Sequence, residues 1–139
     1  MAWTDKGIES DPRVFMWEIL VPTEKRIKTQ MPEIPEGTFF VSDYLSQWRI
    51  KNSYSTRYHR VWDEKVRDIT NGLTIMQPVK GAWLSGEGEL FQERMIPVRI
   101  VATRDQINTI IDMTLSYYDQ LAVLCYKLSD EVILKHRKA

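Results

Sequence analysis

The chain has one cysteine, Cys125, among 139 residues. One thiol rules out a disulfide framework within a single copy and leaves too few sulfurs for a thiolate metal site. In the run LAVLCYK it reads as a small buried hydrophobe. Long apolar runs are also missing: no stretch approaches the ~18 residues of a membrane span. The opening MAWTDKGIESDPR lacks the basic-then-apolar order of a signal peptide. The expectation is a soluble, cytoplasmic protein with no membrane partner. Charge of one sign is not in excess, because 19 Lys and Arg balance 19 Asp and Glu. Nucleic-acid affinity rests on phosphate neutralisation, so no nucleic-acid partner is expected. No Gly-rich phosphate loop is present: GAWLSGEGE lacks the Lys-Ser/Thr ending and does not run into a helix. No His/Cys/carboxylate spacing fits a metal, and no Ser-His-Asp or Cys-His pattern supports nucleophilic catalysis. No cofactor and no metal are therefore expected. Internal repeats and low-complexity tracts are absent.

What the chain does hold is aromatic surface, with five Trp and six Tyr in a composition that is 43% apolar. That argues against disorder, and the length suits one domain with its own core. In VFMWEILVP, Phe15, Trp17, Ile19 and Val21 alternate with Val14, Met16, Glu18 and Leu20, the period of a strand over 14–22. Residues 23–54 read as an insertion, with the proline-punctuated loop MPEIPEGT and a short helix over YLSQW capped by Ser42. From Ser55 to Thr70, Tyr58, Trp62, Val66 and Ile69 form one helical stripe, and Asn71-Gly72 supplies a left-handed stop at the glycine. LTIMQPV reads as an edge strand because of Pro78, followed by turn signals at Gly81 and at Ser85–Gly88. Leu90–Val101 returns as an antiparallel strand. Thr103 and Gln106 have capping-box spacing at the start of a second helix. Its buried stripe is Ile107, Ile110, Ile111, Leu115 and Tyr118. LAVLCYKL is a last strand, with EVILKH a short final one. Residues 1–13 read as a polar leader.

This order predicts an α+β fold of the ferredoxin-like plait type (βαββαβ) over residues 1–139 as one domain, with 55–139 completing the plait after the insertion. Right-handed crossovers place both helices on one face of a four-stranded antiparallel sheet. The other face is left bare. By the pleat, Ile96, Val98 and Ile100 face the helices, while Phe91, Glu93, Met95, Arg99 and Val101 face the open side unless Pro97 shifts the register. Met16, Glu18 and Leu20 join them, with Ala122, Leu124 and Tyr126 or their alternates. First and third strands are neighbours, so Glu18 and Arg99 are placed to pair. A half-apolar, half-charged face suits a subunit contact, or a ligand pocket within such a contact. Glu18, Met95 and Arg99 are its candidate ligand-binding residues, for a small polar ligand.

Other chemistry-bearing residues read as structural. His59 lies one residue past a stripe position and reads as edge-packed or solvated ahead of a general base. His136 belongs to a basic terminal tail. Asp63, Glu64 and Asp68 alternate with Lys65 and Arg67 on a solvated helix face. Lys80, Trp83 and Glu87 sit on the hairpin between the middle strands, as a binding tip or tucked onto another subunit.

In this element order the chain resembles the ferredoxin-like superfamily of small oligomeric plait proteins, and a narrower similarity over roughly 74–126 is carried by the run EGELFQERMIPVRIVATRDQ, a helix and then YYDQLAVLCYK. That stretch is similar to a small domain of unknown function and, more weakly, to phage S-adenosylmethionine lyases. In those lyases a Glu precedes the third strand's apolar run and an acidic-Gln pair introduces the last strand; Glu93 and Asp119-Gln120 match. The resemblance implies a homodimer or homotrimer with an adenine-containing ligand between subunits. It also implies Glu93 as the catalytic residue supplying charge near the sulfonium, Tyr117 or Tyr118 offering aromatic surface to the cation, and Gln120 at the ligand. Gln120 alternatively only closes backbone groups at the helix-to-strand turn. Three functional readings stand: a homo-oligomer built on the open face, a lyase at a subunit interface, and a scaffold or inhibitor binding a protein through residues 31–54.

Overall fold

The computed structural model describes residues 8–9, 13–25, 51–84, 86–88 and 90–138. The expected MPEIPEGT loop and the YLSQW helix fall outside them, as does most of the 31–54 segment. The elements run β1 (Ile8–Glu9), β2 (Val14–Pro22), α1 (Thr56–Thr70), β3 (Thr74–Ile75), β4 (Val79–Leu84), β5 (Leu90–Thr103), α2 (Arg104–Tyr117), β6 (Cys125–Ser129) and β7 (Leu134–Lys135). All sheet pairing is antiparallel, with β6 beside β2, β2 beside β5, and β3 and β4 in line along the far side of β5. This is the plait order, with the expected edge strand split in two.

The sheet's two faces follow from one ladder. β2 and β5 pair without a slip from Val14↔Thr103 to Pro22↔Met95. Trp17, Ile19 and Val21 of β2 and Val98, Ile100 and Ala102 of β5 thus share a face, where they pack with Trp62 and Val66 of α1, Ile107 and Ile110 of α2, and Tyr118. The alternate residues Met16, Glu18, Leu20, Met95, Pro97, Arg99 and Val101 lie on the face turned away from α1 and α2.

Pro97 does not interrupt β5, and the backbone explains why. The Leu20 amide donates to the Leu124 carbonyl at 3.0 Å, so Leu20 turns its polar edge to β6 and its pairing with Pro97 is of the non-hydrogen-bonded kind. Pro97 therefore turns its polar edge toward β3 and β4. There its carbonyl accepts from the Met76 amide at 2.9 Å. The N–H that proline lacks falls beside the break between β3 and β4, so no ladder bond is lost.

Both helix starts are as the sequence reads. The Ser55 hydroxyl accepts from the Tyr58 amide at 3.1 Å. Thr103 and Gln106 form a reciprocal capping box. The Gln106 side chain also donates to the Ile69 carbonyl at 3.0 Å, tying the start of α2 to the end of α1.

Four local expectations are corrected. The left-handed residue ending α1 is Asn71, at φ 71°, and not Gly72. Gly81 lies within β4 rather than in a turn; a Cβ there would sit 2.3 Å from the Met95 methyl, so the missing side chain gives Met95 its space. The turn lies at residues 86–88, where Gly88 takes φ 84°. The last strand begins at Cys125, leaving Leu121 82% exposed before it. Within the polar leader, Ile8–Glu9 pairs with Leu134–Lys135 as a separate two-stranded ribbon.

Asn71→Ala should lower stability by about 1 kcal/mol, since a left-handed backbone penalises a Cβ that lacks asparagine's local hydrogen bonding. Asn71→Gly should cost nothing. Urea denaturation of the two variants checks both.

Candidate functional site

On the open face, the β2 ladders set Arg99, Glu18 and Tyr126 side by side, with Thr74 beyond Arg99. The Arg99 Nε–H donates to Glu18 Oε1 at 3.2 Å, and the Tyr126 hydroxyl donates to Glu18 Oε2. Glu18 is 8% exposed. A carboxylate this far from water is retained only with partners, and it has one on each side. The side chain of Arg99 remains 45% exposed. The expected Glu18–Arg99 pair thus forms, on the face expected for it.

Met95 is 7% exposed and lies across Gly81 beside the Trp83 indole. Glu93 is opposite Gly81, exposed, and on the same face as Met95 and Arg99. β2 ends opposite Met95, whereas β4 continues to Leu84↔Leu90. The β4 strand with Leu90–Arg94 therefore extends past β2 as a two-stranded ribbon, held at its root by the Thr23 amide and hydroxyl on the Arg94 carbonyl, at 3.2 and 3.0 Å. It carries Val79, Trp83, Leu84 and Leu90, each at least 40% exposed.

The second cluster sits at the end of the sheet where β2 finishes and β6 begins. Tyr54 stacks on Tyr58 at 4.8 Å, and Tyr58 on Tyr117 at 4.2 Å. The Lys65 ammonium lies 5.4 Å from the Tyr117 centroid, at cation–π range. Hydroxyls lock the column: Tyr54 donates to the Tyr118 carbonyl at 2.7 Å, Tyr58 to the Tyr117 carbonyl, and Tyr117 to the Tyr58 carbonyl at 2.9 Å. Beside it lies a cavity of about 450 Å³ lined by Lys25, Ser53, Tyr54, Ser55, Tyr58 and Asp119. Burial pushes the Tyr54 hydroxyl's pKa up, with Tyr58 and the Asp119 carboxylate adding to the shift.

Of the residues singled out in the sequence, Tyr117, Tyr118 and Gln120 fall in this cluster. Glu93 lies apart from it on the open face; only its neighbour Arg94 is linked to the cluster's segment, through Thr23, whose carbonyl accepts from the Tyr54 amide at 2.9 Å. Tyr118 is fully buried, and the Tyr117 ring stacks on Tyr58 with the Lys65 ammonium already over it. Gln120 closes the end of α2: its amide reaches the Leu115 carbonyl and its side chain the Tyr118 carbonyl, both at 2.9 Å. Glu18 and Arg99 stand apart, near the middle of the open face. Sequence reasoning passed over Lys25, Tyr54 and Tyr58 as site residues; the available signal was Tyr58 in the α1 stripe, since Tyr54 precedes the Ser55 cap and lies outside the helical period.

His59 proves edge-packed. Its Nδ1 lies 2.7 Å from the Tyr118 hydroxyl, and its ring stands edge-on to Tyr54 at 6.0 Å. Burial holds its pKa below the usual 6.5. Cys125 is half-buried, and burial pushes its thiol up to about 11, so it is no nucleophile at neutral pH. Among the described residues, no group of three or more His, Cys, Asp or Glu is placed to hold a metal, and no helix is long and apolar enough to cross a membrane.

No protein-family model matches the chain, and no curated protein matches it. Solved structures do. The likeness to a phage S-adenosylmethionine lyase in complex with S-methyl-5'-thioadenosine has a TM-score of 0.52 at 11% identity, covering 88% of this chain and 90% of the lyase. CutA from Synechococcus elongatus gives 0.50 at 9% identity, covering 91% and 85%. At such identities the likeness is one of fold.

The His59 shift has a pH consequence. The folded chain holds this imidazole neutral more strongly than the unfolded chain does. As pH falls below 6.5 the unfolded state takes up the proton first. The contribution is fully present above pH 6.5 and is lost as pH falls through the lower folded value. Urea midpoints of wild type should drop between pH 7 and 5 more steeply than those of His59→Gln; equal slopes would refute the assignment.

The architecture that carries these sites is the ferredoxin-like α/β plait, with a weak likeness to phage S-adenosylmethionine lyase.

Proposed function

We propose that the protein is a small homo-oligomer, a dimer or trimer, whose bare sheet face makes the subunit contact. We also propose that it takes a small polar ligand at the tyrosine-lined end of the sheet. The observation that carries the reading is the chemistry of that face. A buried carboxylate held by Arg99 and Tyr126 shares its sheet face with apolar side chains that remain exposed in the single chain: Val79, Trp83, Leu124 and Tyr126 are each between 38% and 47% exposed. Exposed apolar side chains on the same sheet face as a satisfied polar group are the composition of an interface. The cavity beside Tyr54 and Tyr58 is of the size small ligands occupy. Light scattering after gel filtration should give a mass at least twice the 16.4 kDa of one chain. A monomer at ~100 µM would overturn the assembly.

A second reading is a lyase acting on S-adenosylmethionine at the subunit contact. It is favoured by the shared fold with the phage lyase over most of both chains. In this reading Glu93 places charge near the sulfonium, which takes the place of the Lys65 ammonium at the Tyr117 ring. Incubation with S-adenosylmethionine should release S-methyl-5'-thioadenosine, and Glu93→Gln should lower the rate at least a hundredfold. No product from wild type, with no thermal shift from adenine-containing ligands, would remove the reading.

A further inference from the structure

Glu93 and Arg99 lie on the same strand and the same open face, six residues and about 20 Å apart at the rise of a β-strand. They carry opposite charges and are equidistant from Ile96. A two-fold axis parallel to the sheet, perpendicular to β5 and passing over Ile96 turns a second copy face to face with the first and sets each of the two positions over the other. Between them on this face are Met95 and Pro97, an uncharged centre. We infer that two copies pack open face on open face about this axis, so that Glu93 of each copy accepts hydrogen bonds from Arg99 of the other. The inference rests on the self-association reading above and adds to it the symmetry, the register and the residues that fix both.

Three observations support a second copy as the occupant. The face is self-complementary in charge, which is what an isologous contact needs; the chain's net charge of zero adds no overall repulsion. Arg99 is pre-oriented: Glu18 takes the Nε–H, Tyr126 fixes Glu18 from the other side, and the terminal nitrogens of the guanidinium remain as donors. Packed sheets stand ~10 Å apart, a gap that an extended Glu and an extended Arg together span. Glu93 also rides on the ribbon that projects past β2, and a lone two-stranded ribbon is marginal in water. Laying it over a second sheet covers Val79 and Trp83, which share its face.

The test is reciprocal charge reversal, read by native mass across a dilution series. Wild type should be a dimer. Glu93→Arg, an exposed change, should weaken the dimer at least tenfold, and Glu93→Arg with Arg99→Glu should restore it to within about threefold. Arg99→Glu sets a second carboxylate beside Glu18, so circular dichroism accompanies each variant. If the double variant fails to fold, crosslinking decides. In a Cys125→Ser background, chains with Glu93→Cys mixed with chains with Arg99→Cys should be joined by a bismaleimide with a ~10 Å spacer, and either chain alone should not. A wild-type oligomer unaffected by Glu93→Arg would sink this register while leaving self-association standing. A trimer would exclude the two-fold axis. A monomeric wild type would remove both proposals.

Discussion

The structure depends on one ladder, the nine unslipped pairs between β2 and β5. Two central strands in fixed register decide, residue by residue, which side chains meet the helices. A slip of β2 by one place would send Trp17 and Ile19 to the opposite face and bring Glu18 under α1 and α2. The apolar row Trp17-Ile19-Val21 against Val98-Ile100-Ala102 excludes that slip, because burying charge in its place would cost several kcal/mol per ion. The same register that builds the core therefore also sets Glu18, Arg99 and Tyr126 in line on the opposite face.

Much of this was legible in the chain because hydrophobic period sets both elements and faces. β2 and α1 come out at their sequence-read bounds, and the Glu18–Arg99 pair follows from neighbouring strands of matched parity. The departures have physical reasons that act across the fold. Gly81 looks like a turn residue, but its missing Cβ is required by the Met95 methyl from the next strand. Pro97 looks like a strand breaker, but its absent N–H falls beside a gap in the neighbouring strand. Leu121–Leu124 looks like the start of a strand, but Asp119 at φ 47° and the Gln120 contacts first have to finish α2. Each depends on a partner distant in sequence, which no local pattern contains.

The tyrosine cluster was the less legible part for a related reason. Tyr54 reads as part of a polar connector and Tyr58 as one more stripe position. Only the approach of α2 to α1 places Tyr117 on Tyr58 and lets the hydroxyls of three rings reach carbonyls of the opposite segment. Aromatic rings with their polar tips satisfied make a stiff wall, and Lys25 and Asp119 give the adjoining cavity one charge of each sign.

At that same cavity the chain leaves the plait and returns to it through a narrow doorway. Thr23 meets Tyr54, Glu24 bridges Ser53, and the Lys25 amide reaches the Asn52 carbonyl at 2.7 Å. Because the two doorposts are bonded to each other, the penalty for closing whatever runs between them grows only with the logarithm of its length. The doorway thus uncouples the size of the intervening stretch from the register of the sheet.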